Sequence, residues 1–266
     1  MTSMELSIAS WGLLARLSRS LDATIRKEGL QGGMDALLKR FGVKLQITYD
    51  SPEVVMALQS APLVIVANHP SESDPIVLLA SLAKRKDIYL VANSFLLGIS
   101  SALDHYLLPV YIDYRIRQKE NSGSFKLDIL KRIHKIPSFD RGIEHQKNIE
   151  TIQKASEEVS HNGVVVIFPG AGGGRSGKWF SGVGYLIKNI THKDARIVMA
   201  YIENTSDKDY ARVIPGVSKL LKAPKIRFSK PLMVADYHNV SGKEIAHTLE
   251  KKYWAWANES TLHHQN

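Results

Sequence analysis

Hydrophobic and polar positions follow two periods along most of the chain, which predicts strands and helices in alternation. From residue 43, short runs of β-branched and aliphatic residues are separated by segments whose apolar positions recur every three or four residues. We predict strands at 43–49, 63–67, 87–92, 107–112, 164–168 and 196–201, one or two strands within 225–234, and helices at 75–84, 95–103, 148–159, 184–190 and 242–258. This order is typical of an α/β fold with a mostly parallel layered sheet flanked by helices.

The first 42 residues have helical periodicity without strands. Their apolar positions form one stripe, and the glycine pair Gly32–Gly33 predicts a break between two helices, so we expect an N-terminal helical hairpin. Most of the basic side chains lie off the stripe, which fits a hairpin in a membrane interface. A cap packed on the main domain fits equally, so we divide the chain at 1–42 and 43–266 and leave both interpretations open.

Residues 113–136 break the alternation because they are polar and strongly basic. We predict an insertion made of a loop and a short helix at 125–134. It is either a solvated excursion or a contact for an anionic carrier or membrane.

Composition narrows the classes of partner. The 266 residues include no cysteine, which excludes disulfides, thiolate metal sites and a cysteine nucleophile. Thirty-five basic against 26 acidic residues leave a net charge of +9, which favours anionic partners such as phosphorylated metabolites, acidic carriers, nucleic acid or lipid surfaces. We see neither a secretory signal nor a membrane-spanning run, so we expect a cytoplasmic protein.

The loop after the predicted strand 63–67 is the first candidate for chemistry. His69 is the only one of ten histidines with an aspartate five positions later, and that aspartate is Asp74. At the carboxyl end of a strand, Asp74 would accept the proton of one ring nitrogen and leave the other nitrogen as a base. The competing interpretation is that Ser71 and Asp74 cap the next helix and His69 is a turn residue.

The loop after the predicted strand 164–168 is rich in glycine and is the second candidate. Its free backbone N–H groups, with Arg175 and Lys178, favour binding of an anion such as phosphate. The glycines nearly fit a P-loop, but Trp179 stands where a magnesium-binding hydroxyl is required. They also fit a dinucleotide fingerprint that lacks its acidic partner, and a purely structural turn is the third possibility.

Together the two loops resemble the glycerolipid acyltransferase family, which includes lysophosphatidate and glycerol-3-phosphate acyltransferases. The first family motif, N-H-x-S-x-x-D, is fitted in full by Asn68, His69, Ser71 and Asp74. Residues 139–141, which end at Arg141, resemble the second family motif. The segment 111–115, which ends at Arg115, is the alternative.

The third family motif, F-P-E-G-T-R-S, is matched at its ends by Phe168, Pro169, Arg175 and Ser176. This loop is two residues longer, and Gly170 stands where the family has glutamate. The resemblance covers roughly residues 60 to 255, and the missing glutamate bears on the identity of the acceptor.

The resemblance implies an O-acyltransferase that moves a fatty acyl group from acyl-CoA or acyl carrier protein to a hydroxyl of a phosphorylated glycerol or lysophospholipid. His69 is then the general base held by Asp74, and Asn68 and Ser71 support the motif. The acceptor phosphate is expected on residues of both later motifs: Arg141, Arg175, Gly173, Gly174, Ser176 and Lys178, with Arg115 as alternative. A thioester is already activated, so neither an enzyme nucleophile, nor a cofactor, nor a metal is needed.

From the basic charge and the N-terminal helices we also expect peripheral contact with an anionic membrane, at its inner face, and we expect no nucleic-acid partner. Two functions of other classes remain as alternatives. One is a P-loop-like nucleotide-binding protein, and the other is a non-enzymatic basic module for membranes or nucleic acid. The second would require aromatic residues among the basic ones, and 113–136 contains only Tyr114 and Phe125.

Overall fold

The computed structural model describes residues 3–111, 139–170, 178–213 and 216–262. The helices are α1 (Ser3–Arg40), α2 (Pro52–Ser60), α3 (Asp74–Ser81), α4 (Ser101–Asp104), α5 (Arg141–Ser160), α6 (Gly182–Lys188) and α7 (Gly242–Leu262). The strands are β1 (Gln46–Tyr49), β2 (Leu63–Ala67), β3 (Ile88–Asn93), β4 (Leu107–Val110), β5 (Val164–Ile167), β6 (Arg196–Glu203), β7 (Lys225–Phe228) and β8 (Leu232–Met233). This order confirms the predicted α/β class.

The strands form one mixed sheet in the order β1-β7-β6-β2-β5-β3-β4. The five neighbours from β6 to β4 are parallel, whereas β7 and β8 run antiparallel to β6. The carboxyl ends of five strands therefore meet at one edge, which is where α/β folds bind their ligands. The predicted mostly parallel sheet is confirmed.

Strand β2 lies in the middle of the sheet and is buried along its whole length. Leu63, Ile65 and Ala67 belong to the core on one face, with α1 and α3, while Val64 and Val66 belong to the core on the other face, with α5, α6 and α7. Burial on both faces explains the continuous apolar run of this strand.

The N-terminal segment is a helical hairpin whose break lies at Gly29. That residue has φ 78°, a left-handed conformation that glycine adopts readily. The end of the second arm contacts the first arm, where Arg40 Nη1 donates to Ser20 Oγ at 3.3 Å. The predicted break at Gly32–Gly33 is wrong, because both glycines lie inside the second arm. A Cβ on Gly33 would come within 2.5 Å of Ile25, so the pair permits close packing of the arms instead.

The hairpin shares its apolar core with the sheet. Ile25, Leu30, Met34 and Leu38 are buried in the same cluster as β2 and α3. At the edge of this contact, Asp22 accepts hydrogen bonds from Ala102 N and Ser100 Oγ, both at 2.8 Å. These bonds hold the pKa of the Asp22 carboxyl well below its ordinary value, and the bond from Ala102 N has the largest effect. The contacts support the packed-cap interpretation, and the division at residue 42 stays a prediction.

Two helices differ from the prediction. Helix α2 was not predicted at all, and the predicted helix 95–103 is a 3-10 turn (Ser94–Leu96) followed by the short α4. Gly98 between them has φ 82°, and Ser100 Oγ accepts from Leu103 N as the cap of α4. The apolar spacing therefore predicted which residues are buried, but it did not predict the interruption of the helix.

The last helix begins with a capping box formed by Ser241 and Glu244. Ser241 N donates to Glu244 Oε2 at 3.0 Å, and Glu244 N donates to Ser241 Oγ at 3.3 Å. Its first residue, Gly242, lies against α6 so closely that a Cβ on Gly184 would be 1.7 Å from Gly242 O. This backbone contact fixes the position of α7, which carries two residues of the site described below.

The basic insertion 113–136 lies outside the described residues. Within the described ranges, no helix is both long and apolar enough to cross a membrane.

Candidate active site

The site begins where the chain leaves β2 at Asn68. The side-chain amide of Asn68 pairs with the backbone of Ile202 in β6: Nδ2 donates to the carbonyl at 2.9 Å, and Oδ1 accepts from the N–H at 2.8 Å. The side chain thus continues the pairing between β2 and β6 after the backbone has turned away. The backbone of the following residues is free to form the loop that carries His69.

Tyr253 of α7 holds the same turn from the side of the core. Its hydroxyl accepts from Asn68 N at 3.0 Å and lies 2.7 Å from Ala200 O and 3.0 Å from Asn68 Oδ1, the two acceptors for its proton. Burial raises the pKa of Tyr253 well above its ordinary value of 10, so the hydroxyl keeps its proton. The motif residue Asn68 is therefore fixed from both β6 and α7.

His69 and Asp74 meet across the loop. His69 Nδ1 lies 3.1 Å from Asp74 Oδ2, and Ser71 N donates to the same oxygen at 2.6 Å. The Asp74 side chain is fully buried, whereas that of His69 is 24% exposed. With Nδ1 donating to the carboxylate, Nε2 is the nitrogen left to accept a proton. No residue of the described ranges provides a hydrogen-bond partner for Nε2.

The carboxylate of Asp74 does not cap helix α3. Both of its hydrogen bonds are on Oδ2 and come from the loop, and among the described residues no donor reaches Oδ1. Ser73, at the N-cap position, also makes no side-chain cap bond. The two bonds on Oδ2 therefore orient the carboxylate towards His69 Nδ1.

Phe168 packs on the imidazole from the neighbouring strand. Its ring centroid lies 4.9 Å from that of His69, at an interplanar angle of 36°. Phe168 directly follows β5, which pairs with β2, so the two loops start side by side. The contact restricts the ring of His69 and places the start of the glycine loop next to it.

The ends of the glycine loop are joined and attached to α7. Phe180 N donates to Pro169 O at 3.0 Å, which closes the loop. Trp179 N donates to Glu250 Oε1 at 3.2 Å, and the buried Trp179 ring lies 5.3 Å from that of Tyr253. Lys178 is exposed. Four of the predicted phosphate ligands lie outside the described residues: Gly173, Gly174, Arg175 and Ser176.

Arg141 is the exposed first residue of α5. Seven residues later, Asn148 pairs with the backbone of Tyr111 at the end of β4, through bonds of 2.6 and 2.7 Å. Arg141 therefore lies about 10 Å further along the helix axis, beyond the sheet edge that carries His69. However, β4 is three strands from β2, or about 14 Å, and no described contact joins Arg141 to the His69 loop. The alternative, Arg115, lies outside the described residues.

Residues next to this site that were not predicted from the sequence include Tyr253, Glu250, Asp209 and Arg212. Tyr253 belongs to an apolar stripe of α7 with Leu249 and Ala257, a pattern that predicts burial but no partner. Asp209 and Arg212 are three positions apart, a spacing that is typical of a local ion pair. Asp209 also accepts a hydrogen bond from Ser73 in the His69 loop, and nothing in the sequence indicates that contact.

Comparison with known proteins identifies the family. The acyltransferase family model matches residues 46–202, which is more than half of the chain. The chain belongs to the acyltransferase family. The match runs from β1 to β6 and includes both loops, so the resemblance seen in the motifs is confirmed. Among curated protein sequences, none matches the chain.

A solved structure supports the acyltransferase fold. The chain is similar to the crystal structure of the 1-acyl-sn-glycerophosphate (LPA) acyltransferase PlsC from Thermotoga maritima, with 15% identity and a TM-score of 0.50. The similarity covers 95% of this chain and 88% of that chain. At this identity the comparison shows the shared fold alone.

The family assignment favours acyl transfer over the two alternative functions. The P-loop alternative also conflicts with the structure, because Trp179 is packed in the core at the position where that motif needs a magnesium-binding hydroxyl. The catalytic roles of His69 and Asp74 in this acyltransferase stay predictions.

We predict that Tyr253→Phe lowers the free energy of unfolding by about 1–3 kcal/mol, because it leaves Asn68 N and Ala200 O buried without their partner. Denaturant unfolding monitored by fluorescence measures the difference. Tyr185→Phe is the matched control, since Tyr185 is 44% exposed and should change stability by less than about 0.5 kcal/mol.

The same variant should alter the alkaline stability profile. Because the pKa of Tyr253 is higher in the folded than in the unfolded chain, its contribution is complete below about pH 10 and is lost as the pH rises towards the folded value. Tyr253→Phe should therefore lose less stability than the wild type between about pH 9 and 11. An identical decline in both proteins would contradict a buried, protonated hydroxyl.

Proposed function

We propose that this acyltransferase moves a fatty acyl group from a thioester donor, acyl-CoA or acyl carrier protein, to a hydroxyl of a phosphorylated glycerol or lysophospholipid acceptor. The observation that carries the proposal is the pair formed by the partly exposed His69 and the fully buried Asp74 at the carboxyl edge of the sheet. An oriented imidazole with a free Nε2 is what removal of a proton from an alcohol requires.

The reaction needs only one proton carrier. His69 Nε2 takes the proton of the acceptor hydroxyl as its oxygen attacks the thioester carbonyl, and Asp74 stabilises the imidazolium. The tetrahedral intermediate then breaks its C–S bond, and the imidazolium returns the proton to the leaving thiolate. General base catalysis of this kind contributes about 10²–10⁴ in rate.

We assign the acceptor phosphate to the glycine loop and to the start of α5. The residues are those predicted from the motifs: Arg141, Arg175, Gly173, Gly174, Ser176 and Lys178, with Arg115 in place of Arg141 as the alternative. Two contacts support the glycine loop: Phe168, at its start, touches His69, and Phe180 N closes the loop on Pro169 O. Gly170 offers no carboxylate for a glycerol hydroxyl, so recognition of the glycerol part should be relaxed or altered.

We further propose that the protein works in the cytoplasm, in peripheral contact with the inner face of an anionic membrane. The net charge of +9 supports this contact, as does the LPA acceptor named for the similar structure from Thermotoga maritima. The acyl donor is anionic as well and is attracted by the same charge.

The direct test is incubation of the purified protein with acyl-CoA or acyl carrier protein thioesters and a panel of acceptors, with products identified by mass spectrometry. His69→Ala should lower the turnover by about 10²–10⁴ while the protein stays folded. Asp74→Asn should be nearly as damaging because it loses the charge that stabilises the imidazolium. His247→Ala, on the exposed face of α7, is the control and should be as active as the wild type.

Two results would contradict this assignment. Retention of most activity by a folded His69→Ala protein would remove His69 from the mechanism. Absence of acyl transfer to every acceptor in the panel, by protein whose fold is verified, would remove the proposed substrates.

Arg175→Ala should raise the KM for a phosphorylated acceptor by about 10- to 150-fold, since a charged hydrogen bond to phosphate contributes about 1.5–3 kcal/mol. The KM for the acyl donor should change little. Lys243→Ala, an exposed cation of α7, is the control for general loss of positive charge. An equal loss towards a phosphate-free alcohol would mean that Arg175 does not bind the acceptor phosphate.

Membrane contact is tested with a truncation that spares the core. Deletion of residues 1–18 retains Ile25, Leu30 and Met34, which pack against the sheet. At equal lipid concentration, less of the truncated protein than of the wild-type protein should sediment with anionic liposomes. The truncated protein should keep its activity on a soluble acceptor. Unchanged sedimentation would exclude this segment and point to the insertion at 113–136.

A further inference from the structure

A buried ion pair lies next to the His69 loop. Arg212 Nε is 2.8 Å from Asp209 Oδ1, and the two side chains are only 7% and 8% exposed. Both residues belong to the 3-10 helix Asp207–Val213, between β6 and β7. That segment lies outside both loops that carry the sequence motifs, and its pair has no part in the proposed proton transfer.

The ion pair reaches the loop through one hydroxyl. Ser73 Oγ donates to Asp209 Oδ2 at 2.7 Å, across 136 residues of sequence. Ser73 directly precedes Asp74 and occupies the N-cap position of α3, where serine usually bonds to the first turn of the helix. It makes no such bond, so its hydroxyl is committed to Asp209 instead.

Asp209 and Arg212 are themselves held rigidly. Ser206 N donates to Asp209 Oδ2 at 3.0 Å, and Arg212 Nη2 donates to Lys222 O at 2.7 Å. The carboxylate is therefore oriented by three donors, and the guanidinium is tied to the segment before β7. An ion pair so deeply buried costs desolvation free energy and is by itself weak evidence for stability. Its position suggests a use other than stability.

We propose that Asp209, oriented by Arg212, is a positioning residue for the catalytic loop and acts through Ser73. The Ser73 hydroxyl also lies 3.2 Å from Ser71 Oγ, and Ser71 N donates to Asp74 Oδ2. Asp209 thus holds the part of the loop that aims Asp74 at His69 Nδ1. The proposal rests on the proposed function, in which His69 is the base.

A loose loop should slow the chemical step more than it weakens substrate binding. Misplacement of a catalytic group by about 1 Å costs up to about 10²-fold in rate. None of Ser73, Asp209 and Arg212 is expected to touch either substrate, so both KM values should be nearly unaffected.

The test is Ser73→Ala, which removes the hydroxyl and leaves the buried ion pair intact. We expect kcat to fall about tenfold, with the KM values of donor and acceptor within about twofold of the wild type. Ser73→Thr keeps a hydroxyl and should recover most of the lost kcat. Ser60→Ala is the control, because the Ser60 hydroxyl is exposed and bonds only within its own helix. All variants are assayed well below their unfolding midpoints.

His69→Ala, assayed in parallel, separates this proposal from the proposed function. If His69→Ala is active, the proposed function fails and the positioning role with it. If His69→Ala is inactive and Ser73→Ala has wild-type kcat, the positioning role alone is wrong. An increase of the acceptor KM without loss of kcat would overturn it too, because Ser73 would then contact substrate. The positioning role is also overturned if Ser73→Thr has a kcat as low as that of Ser73→Ala, because restoring the hydroxyl would then restore nothing.

Discussion

The paired hydrogen bonds between the Asn68 side chain and the backbone of Ile202 are the interaction on which the site depends. A buried central strand cannot simply end, because its neighbours would be left with unpaired N–H and C=O groups. Asn68 supplies the missing donor and acceptor, so the backbone can leave the sheet at once. The imidazole is thereby placed within one residue of a rigid strand, which is the placement that precise chemistry requires.

Helix α7 connects the two loops of this acyltransferase, although it lies outside the part of the chain matched by the family model. Tyr253 bonds to Asn68, and Glu250, one turn earlier, bonds to the backbone of Trp179 at the end of the glycine loop. The helix is positioned in turn by the backbone contact of Gly184 with Gly242. The helix thus fixes both Asn68, next to His69, and Trp179, at the end of the glycine loop.

Much of this arrangement was predictable because it depends on local patterns. The doubly buried β2 is a continuous apolar run, and the spacing of His69 and Asp74 suggested a pair at the end of that strand. The capping box at Ser241 and Glu244 likewise follows a local spacing, S-x-x-E. Local spacing did not locate the break of the hairpin, because Gly29 and the pair Gly32–Gly33 are equally permissive and only the packing against Ile25 distinguishes them.

Long-range contacts had no sequence signal at all. Asp209 and Ser73 are 136 positions apart, and Tyr253 and Asn68 are 185 apart, so neither pair could be predicted without the fold. Arg141 was predicted from a motif, yet the strand order separates β4 from β2 by two other strands. Its part in binding the acceptor is therefore a prediction from the family motif rather than from a contact.

In the proposed mechanism, Asp74 fixes the tautomer of His69 and leaves Nε2 as the base. Nitrogen-15 NMR of the imidazole side chains, with His69 assigned by the loss of its signals in His69→Ala, measures this directly. In the neutral ring we expect a proton on Nδ1 and none on Nε2, and Asp74→Asn should alter this preference. If the neutral His69 of the wild-type protein carries its proton on Nε2, Asp74 does not set the tautomer and Nε2 is not the base.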